Sequence, residues 1–170
     1  MTIKIVGAIL VIIGCGGFGF LIAAAHRYEV KTLQTFLGVL DIMECELQYR
    51  QTSLPELCRQ IATGCKGVLR IFFSNLAHEL DTQIRPSVDA CVQAALSGIK
   101  DMPTHTKEMI VHLGRTLGSF DIKGQLVGIG SVRDESMTRL EFLRNNQDVR
   151  IRSYQTLGVC AGAAMAILFI

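Results

Sequence analysis

The chain has 170 residues, of which 49% are hydrophobic and 19% charged, and its formal net charge is +2. This length fits one folded domain. The near balance of 17 Lys and Arg against 15 Asp and Glu argues against a nucleic-acid-binding protein, which normally has a basic excess. Only one charged residue, Lys4, lies outside the range 27–152. Two nearly uncharged ends exclude an ordinary soluble globule.

The amino-terminal segment is long and apolar enough to cross a membrane. Residues 5–25 are all apolar or Gly, and as a helix they would extend roughly 31 Å, close to the thickness of a bilayer's hydrocarbon core. We therefore predict a transmembrane helix at 1–26. The alternative is a signal peptide cleaved after the small residues at 23–25, although the apolar run exceeds the usual length of about 7–15 residues.

The carboxyl-terminal segment is the second candidate span. Residues 153–170 contain no charge, and a helix of this length extends roughly 27 Å, which is short but adequate. The alternative is a buried core helix. Between the two segments, residues 27–152 carry the Lys and Arg that flank both spans, which predicts that this part is cytoplasmic. Its cysteines form no Cys-x-x-Cys pair and are expected to remain thiols in a reducing compartment.

Apolar residues at helical spacing predict an all-α bundle of about six helices at 27–152. The first helix runs from Arg27 to Tyr49. A capping box at 53–56, with Pro55 in the first turn, starts a short second helix that ends near Gly64. The stripe predicted to face inward on the first helix consists of Val30, Leu33, Leu37, Leu40, Met43 and Leu47.

Four further helices complete the predicted bundle. The third closes before Arg85, Pro86 opens the fourth, the fifth stops at Gly118, and Asp121 is the predicted N-cap of a long last helix. The last helix contains three glycines, among them Gly128, and each should weaken it by about 1 kcal/mol relative to Ala. Its segment 144–148 has no apolar face, which predicts either a polar stem between the bundle and the membrane or a hinge. The residues predicted to face inward are Leu69, Phe72, Phe73, Leu76, Leu80, Val88, Cys91, Val92, Ala95, Ile99, Ile110, Leu113 and Leu117.

The sequence contains no recognisable catalytic set. It has no phosphate-binding glycine loop, and the glycines at 14–19 lie inside an apolar segment, where small residues serve helix packing. Two pairs with a spacing of seven, His105 with His112 and Cys58 with Cys65, supply too few clustered ligands for a structural zinc site. We therefore expect no enzyme activity, no metal ion, no cofactor and no small-molecule substrate.

Three segments carry a likeness to a known family. The segment LDIMECELQY at 40–49, followed by TSLPEL at 52–57, resembles the first helical hairpin of stage III sporulation protein AB. The segment LGRTLGSFD at 113–121, with Gln125 beyond it, and RSYQTLG at 152–158 are also similar to that family. The sequence IKG at 122–124 departs from the pattern, because the family usually has charged residues there.

The resemblance implies a function as well as a fold. The family is similar to the cytoplasmic domain of the type II secretion F platform protein and of its pilus counterpart. It implies a non-enzymatic platform in a secretion-like channel that links mother cell and forespore during endospore formation. The expected location is the mother-cell membrane, and the expected partners are a cytoplasmic secretion-type ATPase, other membrane and ring components, and the lipid bilayer. Two alternatives are a secreted helical binding module with a cleaved signal peptide and a membrane enzyme with an unrecognised site.

Two sets of residues are the predicted functional sites. Glu44 and Glu46 cannot point the same way on a helix, so paired-carboxylate catalysis is disfavoured, and the plain alternative is a solvated helix face. Partner binding by these residues is what the platform interpretation, implied by the resemblance, leads us to expect. The partner-binding residues are Glu44, Glu46, Tyr49, Arg50 and Glu56 around the first turn, and Asp121 and Gln125 around the later one, where Asp121 could equally be an N-cap. The residues expected to pack the membrane helices are Gly19, Gly158 and Gly162.

Overall fold

The computed structural model describes residues 2–50, 52–117 and 122–169, and the side chains of residues 24–50, 52–117 and 122–145. All regular secondary structure in these ranges is helical, which confirms the all-α prediction. The six helices are α1 (Thr2–Tyr49), α2 (Leu54–Gly64), α3 (Val68–Thr82), α4 (Val88–Ser97), α5 (Thr104–Leu117) and α6 (Ile122–Phe169). The first and last helices continue without a break through the boundaries predicted at 26 and 152.

The chain divides into two compact units. One unit, Lys31–Leu140, contains α2 to α5 with parts of α1 and α6. The other consists of Met1–Val30 and Glu141–Ile170, and its described residues, 2–30 and 141–169, are helical, including the polar segment 144–148.

A search of the residues with described side chains finds no helix whose length and apolar character would let it cross a membrane. The segments predicted as spans, 1–26 and 153–170, lie outside those residues except for 24–26. Gly19, Gly158 and Gly162 likewise lie outside them.

The core of the unit Lys31–Leu140 is built from the predicted apolar faces. Helix α2 packs on α3, α3 on α4, and α4 on α5. Phe72 and Phe73 meet edge-on, with ring centroids 4.9 Å apart. In α1 the buried face is centred on Phe36 and Leu40 rather than on Leu37, which is only half-buried. Phe36 and Val39 therefore belong to the core although the predicted stripe omitted them. Four other residues predicted to face inward are half-buried: Val30, Leu80, Val88 and Ile99.

The start of α2 lies at the predicted residue but is stabilised differently. Ser53 occupies the N-cap position, yet its side chain makes no capping hydrogen bond. The predicted capping box is therefore wrong, because the Glu56 carboxylate binds the Arg59 guanidinium instead. Pro55 in the first turn and the hydrogen bond from the Leu57 N–H to the Ser53 carbonyl, at 2.9 Å, begin the helix.

The start of α4 also differs from its prediction. Pro86 does not open the helix, which begins two residues later at Val88. Ser87 is the N-cap, and its hydroxyl oxygen accepts a hydrogen bond from the Ala90 N–H at 3.2 Å. A side-chain acceptor that satisfies a free N–H group of the first turn defines this start better than the proline does.

Two glycines allow adjacent helices to approach closely. A Cβ atom added at Gly128 of α6 would lie 1.6 Å from Thr116 Cγ2 of α5. A Cβ at Gly114 of α5 would lie 2.9 Å from the Val92 side chain of α4. By contrast, a Cβ at Gly130 would meet no atom within 4 Å. Gly128 was predicted only to weaken the last helix, but it also provides space for the α5–α6 contact.

Candidate docking surface

The α1–α2 turn is fastened by the Glu46 side chain, which is only 14% exposed. Its Oε2 atom accepts a hydrogen bond from the Thr52 hydroxyl at 2.8 Å. Its Oε1 atom lies 3.4 Å from Nη1 of Arg50. Both carboxylate oxygens are thus engaged within the chain, and these contacts stabilise the turn.

Two large side chains remain exposed at the same turn. Tyr49, the last residue of α1, is 74% exposed, and so is the side chain of Arg50, which follows it. Glu56, in the first turn of α2, is 47% exposed and forms an ion pair with Arg59. Tyr and Arg are enriched among the residues that contribute most to protein interfaces. The turn therefore presents an aromatic ring and a cation on a short, hydrogen-bonded support.

Glu44 lies on a different face of α1 and links this helix to α6. Its Oε2 atom accepts a hydrogen bond from Nη1 of Arg133 at 3.3 Å. Nη2 of the same guanidinium lies 3.1 Å from Oδ1 of Asp41. Glu44 and Glu46 thus have separate partners, and they do not form one acidic patch.

The second predicted cluster is only partly within the described residues. Gln125 is half-buried, and its Nε2 atom donates a hydrogen bond to the Leu117 carbonyl at 2.9 Å. This bond satisfies a carbonyl in the last turn of α5 and joins that helix to α6. Asp121 lies outside the described residues. The structure therefore groups Glu46, Tyr49 and Arg50 and assigns Gln125 a contact within the fold.

Arg59 forms a cluster that the sequence did not indicate. Its guanidinium binds both Glu56 of the same helix and Asp81 of α3. The hydrogen bond with Asp81, followed by the one with Glu56, raises the pKa of Arg59 above its ordinary value. Because Asp81 is 22 positions away in the chain, no spacing rule within one helix could have revealed this pairing.

The histidines and cysteines considered as metal ligands are not brought together. Nδ1 of His105 lies 3.2 Å from Glu108, and Nδ1 of His112 lies 3.2 Å from Glu135. Burial raises the pKa of the Cys58 thiol to about 12, so this thiol stays protonated at neutral pH. No three His, Cys, Asp or Glu side chains cluster as a metal site within the part of the chain that the structure describes.

Comparison with known proteins gives two matches. A sequence model of the family described as stage III sporulation protein AB matches residues 4–170. A solved structure of a stage III sporulation protein AB is similar to this chain with a TM-score of 0.65 and 21% sequence identity. The similarity covers 72% of this chain and 98% of that one, and at this identity it shows a shared fold. No curated protein sequence matches the chain.

Proposed function

Given that the chain belongs to the stage III sporulation protein AB family, we propose that it is a non-enzymatic, membrane-anchored platform of a secretion-like channel. The channel would link mother cell and forespore during endospore formation. In this proposal the unit Lys31–Leu140 lies in the cytoplasm and binds a secretion-type ATPase. The observation that supports it best is the pair of exposed side chains, Tyr49 and Arg50, on the turn that Glu46 fastens.

The physical basis for docking is low conformational cost. A surface that is already ordered loses less entropy when a partner binds than a mobile one does. The bond between Glu46 and Thr52 orders the turn before binding. Tyr49 has only two side-chain torsions to restrict, and Arg50 can form paired hydrogen bonds with a partner carboxylate. A carboxylate-bearing face of the ATPase is therefore the expected counterpart.

Membrane anchoring rests on the sequence of the two ends. Residues 5–25 and 153–170 are uncharged, and the flanking cations lie within 27–152. These features support an orientation with the central unit in the cytoplasm and both termini across the membrane. A thiol or phosphatase reporter placed between residues 100 and 105 should report a cytoplasmic location. Activity on the outer side, or a native chain that begins at His26, would instead support the secreted alternative.

The ATPase partnership is tested by purification from sporulating cells. The full chain, tagged at its carboxyl terminus and extracted in mild detergent, should co-purify with a cytoplasmic secretion-type ATPase. An unrelated membrane protein with the same tag serves as the control for capture by the resin. Recovery of the chain without any such ATPase, under conditions that keep the other membrane components together, would contradict the docking proposal.

A further inference from the structure

A groove lies between α2 and α3, on residues that the platform proposal does not use. Its volume is about 410 Å³. Ala62 and Ala77, both buried, form its floor, and their small side chains leave space between the helices. Exposed hydroxyl groups of Thr63 and Ser74 lie on its rim. A volume in this range is sufficient for several side chains of a bound partner.

One end of the groove carries more acidic than basic groups. There Arg59 contributes a positive charge, but it is bound by the carboxylates of Asp81 and Glu56. One cation and two carboxylates leave a formal charge of −1 here, so an acidic ligand would not bind at this end.

The other end is positively charged. Arg70, which is exposed and lines the groove, forms no ion pair among the residues that the structure describes. Lys66 does not line the groove, but it precedes Arg70 by four residues in the turn between the two helices. It is also exposed and, within the same described set, lacks an acidic partner. The first turn of α3 contains no acidic residue, so its free N–H groups add to the positive potential. His78 lies further along the rim.

We propose that this groove binds an acidic segment of a partner protein, with the carboxylates of that segment beside Arg70 and Lys66. The short side chains of the segment would lie over Ala62 and Ala77. Charge complementarity favours an acidic occupant because the free charges at the open end are cations. An extended segment suits the site better than a small free anion, since the donors are spread along an open rim instead of enclosing one point.

The test uses the full chain in a zwitterionic detergent and a fluorescent peptide of alternating Glu and Ala. Fluorescence anisotropy should show binding at low salt, and a Lys–Ala peptide of the same length should not bind. Arg70→Glu should weaken binding by at least about tenfold, because it places a carboxylate opposite the acidic probe. Lys107→Glu makes the same charge change at an exposed position of α5 and should weaken binding by less than about twofold.

A second pair of variants tests the groove independently of its charge. Ser74→Trp places a large ring on the rim and should abolish peptide binding. Asn75→Trp is the matched control, because Asn75 is exposed beside Ser74 but does not line the groove. Circular dichroism should show that both variants remain folded. Equal binding by these two variants would overturn the proposal.

Three further outcomes would also overturn it. The first is an equal loss of binding in Arg70→Glu and Lys107→Glu, which would indicate attraction to the general positive charge of the protein. The second is saturable, Arg70-dependent binding of inorganic phosphate together with no binding of the peptide. The third is an Arg70-dependent change in oligomeric state, which would make a second copy of the chain the occupant. The ATPase takes no part in these measurements, so their failure leaves the platform proposal unaffected.

Discussion

Where α5 contacts α6, the small and polar residues make contacts within the fold. In the α1–α2 turn, by contrast, two large side chains are exposed to solvent. Gly128 of α6 faces Thr116 of α5, and Gln125 binds the Leu117 carbonyl. In the α1–α2 turn Glu46 is engaged in the same inward manner, but Tyr49 and Arg50 are exposed. The difference is one of exposure: the α1–α2 turn leaves Tyr49 and Arg50 accessible to a partner, although Arg50 also pairs with Glu46.

The largest expected effect follows from adding one methyl group at the α5–α6 contact. Gly128→Ala should lower the free energy of unfolding by about 3 kcal/mol, because the new Cβ overlaps Thr116 Cγ2. Gly130→Ala is the matched control and should be neutral or raise it by up to about 1 kcal/mol through helix propensity. Urea unfolding of the full chain in detergent, followed by circular dichroism, measures both.

The same contact can be relieved from the other helix. Thr116→Ser removes Cγ2 but keeps the hydroxyl that donates a hydrogen bond to the His112 carbonyl. In the Gly128→Ala background it should restore part of the lost stability. If Thr116→Ser gives no recovery, the overlap is not the cause of the destabilisation.

The second expected effect concerns the α1–α2 turn. Glu46→Ala should lower the free energy of unfolding by about 2 kcal/mol, because it removes a hydrogen bond between the Thr52 hydroxyl and a nearly buried carboxylate. A double-mutant cycle with Thr52→Ala should give a coupling energy of about 1 kcal/mol. Tyr49→Ala should change stability by less than about 0.5 kcal/mol. Equal losses of unfolding free energy in Glu46→Ala and Tyr49→Ala would show that Glu46 does not stabilise the turn more than the exposed Tyr49 does.

The smallest expected effect is at Glu44. Its interaction with Arg133 is partly exposed, so Glu44→Gln should lower stability by about 0.5 kcal/mol at low salt. The effect should disappear in about 1 M salt, where screening shortens the range of the interaction to roughly 3 Å. The loss of stability in Glu46→Ala should persist in the same salt, because the Glu46 carboxylate is nearly buried. A loss of stability in Glu44→Gln that does not depend on salt would contradict this prediction and would indicate that Glu44, like Glu46, is shielded from the solvent.

The helices could be predicted from apolar periodicity because burial dominates their packing. The ends at Tyr49, Gly64 and Leu117 lie within a residue of the predicted points. Helix caps were harder to predict. Ser53 and Ser87 both precede short helices, but only the Ser87 hydroxyl accepts a capping bond. The outcome depends on local backbone angles and on Arg59, which binds the Glu56 carboxylate.

The candidate site was predictable as a position along the chain but not as a set of contacts. Tyr49 and Arg50 follow from the end of the first apolar stripe. The bond that joins Glu44 to Arg133 connects residues 89 positions apart, and the one between Glu46 and Thr52 crosses a turn. Contacts of this kind depend on how the chain folds, so the sequence alone could not separate the carboxylates that are engaged within the fold from the exposed side chains of Tyr49 and Arg50.

The most direct test of the account is the affinity of the full chain for the secretion-type ATPase when the exposed pair is removed. The double variant Tyr49→Ala and Arg50→Ala should bind the ATPase about 30-fold more weakly, since truncating such interface residues costs about 2 kcal/mol or more. Its unfolding free energy should fall by no more than about 1 kcal/mol, because the Arg50–Glu46 ion pair that it also removes is largely exposed. Lys107→Ala should bind like the unaltered chain. Unchanged affinity of the folded double variant would contradict the assignment of the α1–α2 turn as the docking surface.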